Sequence, residues 1–292
     1  NVETARSLVL QAQSSPSQGL WRVIVVEDAD RLGESGANAL LKAIEEPPEH
    51  TVWLLCAPSP EDMIATIRSR CRHLGLRIPT ASAVADLLVR EGVATPDVAL
   101  EAARAAQSHI GLARALARDP QMRERRRAII TAPASVRSVG EAVMAADRLL
   151  ETAKAQADAQ VSERNAREKA ELMRQLGMDE GESATKASRT MLRQLEEDQK
   201  RRSKRALTDA IDRALIDLLA IYRDVLMVQV GGDGELINTD LADLVHEIAQ
   251  DSTPRQTLAR VDHIETARKR LVSNGNPLLV LEDMAISLRP QA

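Results

Sequence analysis

Phenylalanine is absent from this 292-residue chain, and Trp21, Trp53 and Tyr222 are its only Trp or Tyr residues. Cores must therefore be built from Leu, Ile, Val and Ala, a palette that favours helices because Ala and Leu have the highest helix propensities. The same lack argues against recognising nucleic acid by stacking bases on aromatic platforms. Cysteine is almost missing: Cys56 and Cys71 lie far apart without metal-ligand spacing, which reads against a structural disulfide and for a reducing cytoplasm. No apolar run approaches the ~20 residues that a membrane span needs. The five histidines show no i, i+4 or other metal-like spacing, and no Ser/His/Asp or Cys/His pairing stands out. Neither a zinc site nor a hydrolase triad is expected. A net charge of −4 provides no global basic field, so any nucleic-acid contact must be local or shared with partners.

What is present is strand and helix pattern in a definite order. Val2, Ala5, Leu8, Val9 and Ala12 fall on one helical face, and "SSPSQG" breaks that helix. The stretch "RVIVVED" reads as a strand over about 22–27. Ala37, Leu40, Leu41 and Ile44 then recur at i, i+3, i+4, i+7 until Pro47–Pro48 stop the helix. "TVWLLCA" is apolar on both alternating faces, as parallel strands sandwiched between helices are. Strand, helix and strand of these lengths make a βαβ unit and hence an α/β core. Beyond "LRIPT" the strands cease. Helical patterns cover roughly 81–92 and 96–118, and a third helical region starts around "TAPAS".

Residues 151–205 differ in kind, dense in Ala, Glu, Lys, Arg and Gln and interrupted by "GMDEGESATKAS". They read as two solvated helical arms, with the basic cluster Lys200–Arg205 as a solvated face beside Glu196, Glu197 and Asp198. From Ala206 a long apolar stripe returns through Leu207, Ile211, Leu215, Leu218, Tyr222 and Leu226. After "SNGNP" a last helix is expected, with Gly275 closing its predecessor, Asn276 as N-cap and Pro277 in the first helical position. Leu278, Leu281, Met284, Ala285 and Leu288 form its buried face.

Two patterns carry candidate chemistry. Glu27 and Asp28 end a buried-looking strand, where nucleotide-hydrolysing proteins hold Mg²⁺ and polarise a water. By itself the pattern is common, and an ordinary strand-end acid pair is the plainer reading. Arg68 and Arg70 lie in "IRSRC"; an arginine at a domain edge reaches a neighbour's γ-phosphate in trans, while a surface salt bridge is the plainer fate. The P-loop pattern G-x-x-x-x-G-K-[ST] occurs nowhere here. The chain opens on Asn1 without an initiator Met and enters a helix at once, so a preceding segment is expected.

The combination is more specific than its parts. "ANALLKAIEEPP", followed at the right distance by Ser69-Arg70-Cys71, resembles the bacterial DNA polymerase III clamp-loader subunits of the AAA+ class. The resemblance covers residues 1 to about 120 clearly, and the C-terminal part more weakly through "NGNPLLVLEDM". It implies the C-terminal part of a P-loop AAA+ core with a parallel sheet over 1–78, a small helical lid over 79–132 and an all-α collar over 133–292. The charged helical insertion at about 152–205 departs from the commonest collar pattern.

Departures from the hydrolysing members point to the delta-prime branch. The order Glu27-Asp28 reverses their Asp-Glu, drawing the second carboxylate back by one methylene. Cys56-Ala57-Pro58 stands where they carry a polar sensor residue. Gly111 stands where the lid's sensor arginine is expected, with Arg114 further along. The resemblance therefore implies a largely non-catalytic ring member that keeps Arg70 as a trans arginine finger, with Ser69 and Cys71 as its motif. Glu27 and Asp28 would be a degenerate Walker-B-like pair, with no ATP or Mg²⁺ confidently expected on this segment and Zn²⁺ only in a part N-terminal to it. The implied partners are gamma/tau and delta subunits, with the sliding clamp and primed DNA reached through the complex. A gamma/tau-type ATPase using Glu27 and Asp28 is the alternative, and a nucleic-acid-binding helical protein using residues 200–205 a third reading.

Overall fold

The computed structural model describes residues 2–14, 19–176 and 186–289. It is mostly helical (73%), with one small parallel sheet near the N-terminus. The chain divides into two compact units, Asn1–Arg77 and Ile78–Ala292. Among the described residues, no helix is long and apolar enough to cross a membrane. The break at "SSPSQG" and the interruption "GMDEGESATKAS" fall largely on 15–18 and 177–185, outside the described residues.

The first unit comprises α1 (Val2–Gln13), β1 (Arg22–Val26), α2 (Glu34–Glu45), β2 (Thr51–Leu55) and the single turn α3 (Ala65–Arg68). The two strands pair in parallel, Ile24 opposite Trp53 and Val26 opposite Leu55, as the βαβ pattern predicts. Ala5 on α1, Ala37, Leu40 and Ile44 on α2, and Ile67 on α3 are buried together, with Trp53 and Leu55 packed against them. The expectation of helices on both faces is not met. Val23, Val25, Val52 and Leu54 are 39–56% exposed, because the described helices of this unit gather on the side of Trp53 and Leu55.

The second unit begins with α4 (Ala81–Arg90), α5 (Pro96–Ala105) and α6 (Ile110–Arg118). Their core is small, built mainly from Ala99, Ala102, Ala103 and Ala113 around Val84, Leu88 and Leu116. The continuous helix expected over 96–118 is two helices. Gln107 and Ser108 adopt left-handed backbone (φ 47° and 64°), and the Ser108 N–H donates back to the Ala103 carbonyl, closing α5. His109 then caps α6 by accepting the Leu112 N–H at Nδ1 (3.1 Å). Helix propensity alone does not reveal that stop.

Helix α7 (Pro120–Ser135) follows, so "TAPAS" ends a helix. Ser138 and Glu141 form a capping box that opens α8 (Val139–Gln175, 37 residues). Helix α9 (Lys186–Gln229, 44 residues) comes next, then α10 (Ala242–Gln250), α11 (Pro254–Val272) and α12 (Pro277–Ser287). Ile211, Leu215, Leu218, Ile221, Tyr222 and Val225 form the buried spine of α9, packed with α8, α10 and α11. Asn276 caps α12 as expected. The left-handed residue that ends α11, however, is Asn274 (φ 62°), one position before Gly275. The Gly275 N–H reaches the Arg270 carbonyl (2.8 Å), and a Cβ at Gly275 would sit 2.8 Å from that same oxygen. Glycine is thus required there by close approach rather than by φ.

Helices α8 and α9 pack along each other and extend outward as an antiparallel pair. Ala153, Ala157 and Val161 stay buried against Ala206 and Ala210, so the core of the second unit's helical bundle runs past residue 152. Farther out, Arg202 donates to Asn165 Oδ1 and to the Glu168 carboxylate (both 2.8 Å), and Gln199 to the Asn165 carbonyl (2.9 Å). Replacing 163–204 with a short Gly/Ser linker is therefore expected to leave the remaining bundle folded with an unchanged thermal midpoint to within a few degrees. Removing 152–205 exposes the partners of three buried side chains, and each such loss costs on the order of 1 kcal/mol or more. Thermal denaturation of the two deletions checks this.

Candidate functional site

The site expected at Arg70 is built by two segments that the sequence keeps 25 residues apart. Helix α2 ends at Glu45, where Pro47–Pro48 forbid continuation. Helix α3 is pinned by Ile67, which is fully buried, and its last turn is carried on by Ser69 and Arg70 N–H bonds to the Ala65 and Ile67 carbonyls (both 3.0 Å). This places Arg70 beside Glu45. The guanidinium donates from Nε to the Glu45 carboxylate and from Nη1 to the Thr66 carbonyl (2.8 Å). Its side chain is 37% exposed, so it is braced within its own unit while still facing solvent. Ser69 Oγ donates to the Thr66 carbonyl (3.2 Å) and lies 3.4 Å from Arg70 Nη1. Arg68 reaches the Pro60 carbonyl instead (3.4 Å). The Cys71 thiol is free, and what burial it has pushes its pKa up, so it is not an activated nucleophile.

Glu45 is the residue that sequence reading missed. Its signal is the first of the two acids ahead of Pro-Pro in "AIEEPP", a position whose partner no local pattern encodes.

Glu27 and Asp28 stand where β1 ends, and the structure does not bring them to Arg70's hydrogen-bond network. Both are exposed. Asp28 takes left-handed backbone (φ 50°, ψ 46°) and starts a short 3₁₀ turn, Ala29–Arg31. Its carboxylate lies 3.9 Å from the Arg31 guanidinium. Among the described residues, no group of three or more His, Cys, Asp or Glu is placed to hold a metal ion. Two exposed carboxylates with an arginine beside one of them do not by themselves make a cation site. The acid of this segment that turns inward is Asp30, whose Oδ1 is buried without a hydrogen-bond partner.

The lid positions belong to the second unit. Gly111 is the second residue of α6, and a Cβ there would sit 3.3 Å from the His109 ring. Arg114, one turn on, is held by Glu91 at the end of α4 through bonds of 2.8–3.0 Å from Nε and Nη2. This guanidinium braces the small three-helix core, with Nε and Nη2 both given to the Glu91 carboxylate.

Comparison with known proteins adds an independent finding. A family model described as "DNA polymerase III, delta subunit" matches residues 1–80, and one described as "DNA polymerase III, delta subunit, C terminal" matches residues 184–289. The DNA polymerase III subunit delta' of Escherichia coli K12 is 36% identical over 115 residues, which is 39% of this chain and 34% of that protein. The subunit delta' of Yersinia pestis is 42% identical over 78 residues, 27% of this chain and 23% of that protein. The subunit gamma/tau of Mycobacterium tuberculosis H37Rv is 38% identical over 100 residues, 33% of this chain and 17% of that protein. The matches thus span about a third or less of these relatives' own length, and similarity alone does not separate delta' from gamma/tau.

Proposed function

The chain belongs to the DNA polymerase III clamp-loader family, and from that premise we propose that it is a delta-prime-type ring subunit that completes a neighbour's ATPase site without running one of its own. The observation that carries this reading is Arg70: a guanidinium braced by Glu45 and Thr66 yet 37% exposed. An arginine so held has little orientation left to lose when it meets a phosphate across a subunit boundary. In trans it would donate to the γ-phosphoryl oxygens of ATP bound by the adjacent subunit, stabilising the charge that spreads over them in the transition state.

The chain's own nucleotide elements support the same reading by what they have become. The acids that follow β1 are in reversed order and exposed, Cys56-Ala57-Pro58 offers no side-chain amide or hydroxyl to a phosphate, and Gly111 brings no side chain to the position where a sensor arginine is expected. The C-terminal helices would hold the ring together with gamma/tau and delta subunits, and ATP turnover in the ring would place the sliding clamp on primed DNA.

ATP turnover by the isolated chain and by the reconstituted ring tests the proposal. We expect turnover by the chain alone at the background rate, with the ring requiring it for full activity. Turnover by the chain alone that is lost in Glu27→Gln would instead establish the gamma/tau-type ATPase.

A further inference from the structure

The outer half of the α8–α9 pair carries a charge that the rest of the molecule opposes. Residues 162–176 and 186–205 contain twelve Lys and Arg against six Asp and Glu, in a chain whose totals are 39 against 43. The connecting residues 177–185 add three more acids, so the excess belongs to the helices and not to the segment joining them.

At 100° per residue, Arg189, Arg193, Lys200 and Lys204 lie within about 60° of one another and extend over about 22 Å, with Glu196 and Glu197 about 20° beyond either edge of the row and Asp198 well away from it. Leu195, Gln199 and Arg202 lie more than about 100° from the centre of that row, and Gln199 and Arg202 bond across to α8. The basic row therefore faces away from the partner helix, and Arg189, Lys200 and Lys204 are exposed, as is Arg193, at 82%.

The three acids that make the sequence here look balanced are each engaged. Glu196 pairs with Lys169 of α8 (3.8 Å), Glu197 with Arg193 (3.6 Å) and Asp198 with Arg201 (3.8 Å). Among the described residues, Arg174, Arg189, Lys200 and Arg205 have no carboxylate within 4 Å, and Lys204 donates only to the neutral Asn274 Oδ1 (2.9 Å).

We infer that this outward row on α9 is a contact surface for the phosphate backbone of double-stranded DNA, a site separate from Arg70 and independent of it. Charge complementarity selects the partner. Cations at intervals of about 6–10 Å along a straight helix suit a regular polyanion carrying one charge per ~1.7 Å of duplex axis. The absence of aromatic residues from the arm removes base stacking, and with it the usual grip on single strands. A protein partner would want a desolvated aromatic or aliphatic anchor, and among the described residues of the arm the exposed large apolar side chain is Met191. The contacts would be to backbone and hence independent of sequence.

The test is fluorescence anisotropy of a labelled duplex of about 20 base pairs with the full chain, without nucleotide or other subunits. About four phosphate contacts predict a Kd that weakens roughly a hundredfold between 50 and 200 mM salt. The variant Arg189→Gln/Arg193→Gln/Lys200→Gln/Lys204→Gln, verified as folded by circular dichroism, should weaken binding at 50 mM salt and flatten that dependence; Lys200→Glu alone should move both in the same direction. Salt-independent binding, no binding at 50 mM salt, or a quadruple variant that binds like the parent overturns the inference. So does a single strand that binds as tightly as the duplex, or polyglutamate that displaces the duplex at equal charge concentration. None of these outcomes bears on Arg70, because no ATPase is measured.

Discussion

Arg70→Ala is expected to leave nucleotide binding by this chain unchanged and to slow ATP turnover at the neighbouring site that Arg70 completes. Arginine fingers contribute on the order of 10³–10⁵ in rate, so that one site should fall effectively silent. Turnover of the whole reconstituted ring should drop by at least that site's share. The neighbouring Glu45 sharpens the experiment. Glu45→Gln keeps the guanidinium and removes the charge that braces it. If Glu45 acts by positioning Arg70, the loss should be partial, about tenfold for ~1.4 kcal/mol of orientation. Arg70→Lys should behave more like alanine than like the parent, since an ammonium cannot fill a planar fork. Unchanged turnover of the ring with Arg70→Ala would remove the trans role altogether, and the arginine would then be only a surface partner of Glu45.

Asp224→Ala should be the most destabilising single change in the second unit. Asp224 is completely buried on α9 and accepts from the Ile237 N–H (3.0 Å), the Asn238 N–H (2.8 Å) and the Asn238 side-chain amide (2.9 Å). Arg223 caps the same carboxylate from the solvent side (2.9 Å). Alanine strips the acceptor from three donors that lie away from water, and unsatisfied buried donors cost about 1–3 kcal/mol each. The effect spreads because Asn238 also accepts from Arg126 (2.6 Å), whose other partner is the buried Asp217 (2.9 Å). Burial pushes the Asp217 carboxyl up, and Arg126 offsets this only in part; loosening Asn238 leaves that pair less well held.

A loss of about 3–5 kcal/mol is expected, which for a unit of this size is a fall of about 10 °C in Tm. Asp224→Asn, keeping one acceptor oxygen, should fall between the two. Hydrogen exchange reports the cause, as the Ile237 and Asn238 amides should lose protection before the α9 spine does. A Tm within 2 °C of the parent would show that the 230–240 segment is not anchored through this carboxylate.

How much of this was legible in sequence follows from the range of each interaction. The βαβ order, the helix ended by Pro47–Pro48, the α9 spine and the Asn276 cap are local patterns, and each is present. The stop at Gln107–Ser108 was missed because an alanine-rich run reads as one helix until backbone geometry breaks it. The open face of the sheet was missed because alternation in β2 reports only that both faces are apolar, not whether anything covers them. Glu45 at Arg70, Glu91 at Arg114 and Asn238 at Asp224 are contacts between segments. No periodicity encodes them, which is why the candidate residue was readable and its support was not. The basic cluster 200–205 reads in sequence as a linear stretch beside acids. On the helix Asp198 falls well away from the basic row, while Glu196 and Glu197 flank it, paired with Lys169 and Arg193.

Helix α9 runs from the basic row to the buried spine without a break. Its outer portion, from Lys186 to Ala206, makes a lever about 30 Å long, and the fulcrum is the tight alanine seam with α8. A displacement of 1 Å at the outer end is then about 2° of tilt at the inner end, delivered directly to the side chains packed against α10 and α11. Tension or thrust on the arm is thereby converted into torque on the bundle.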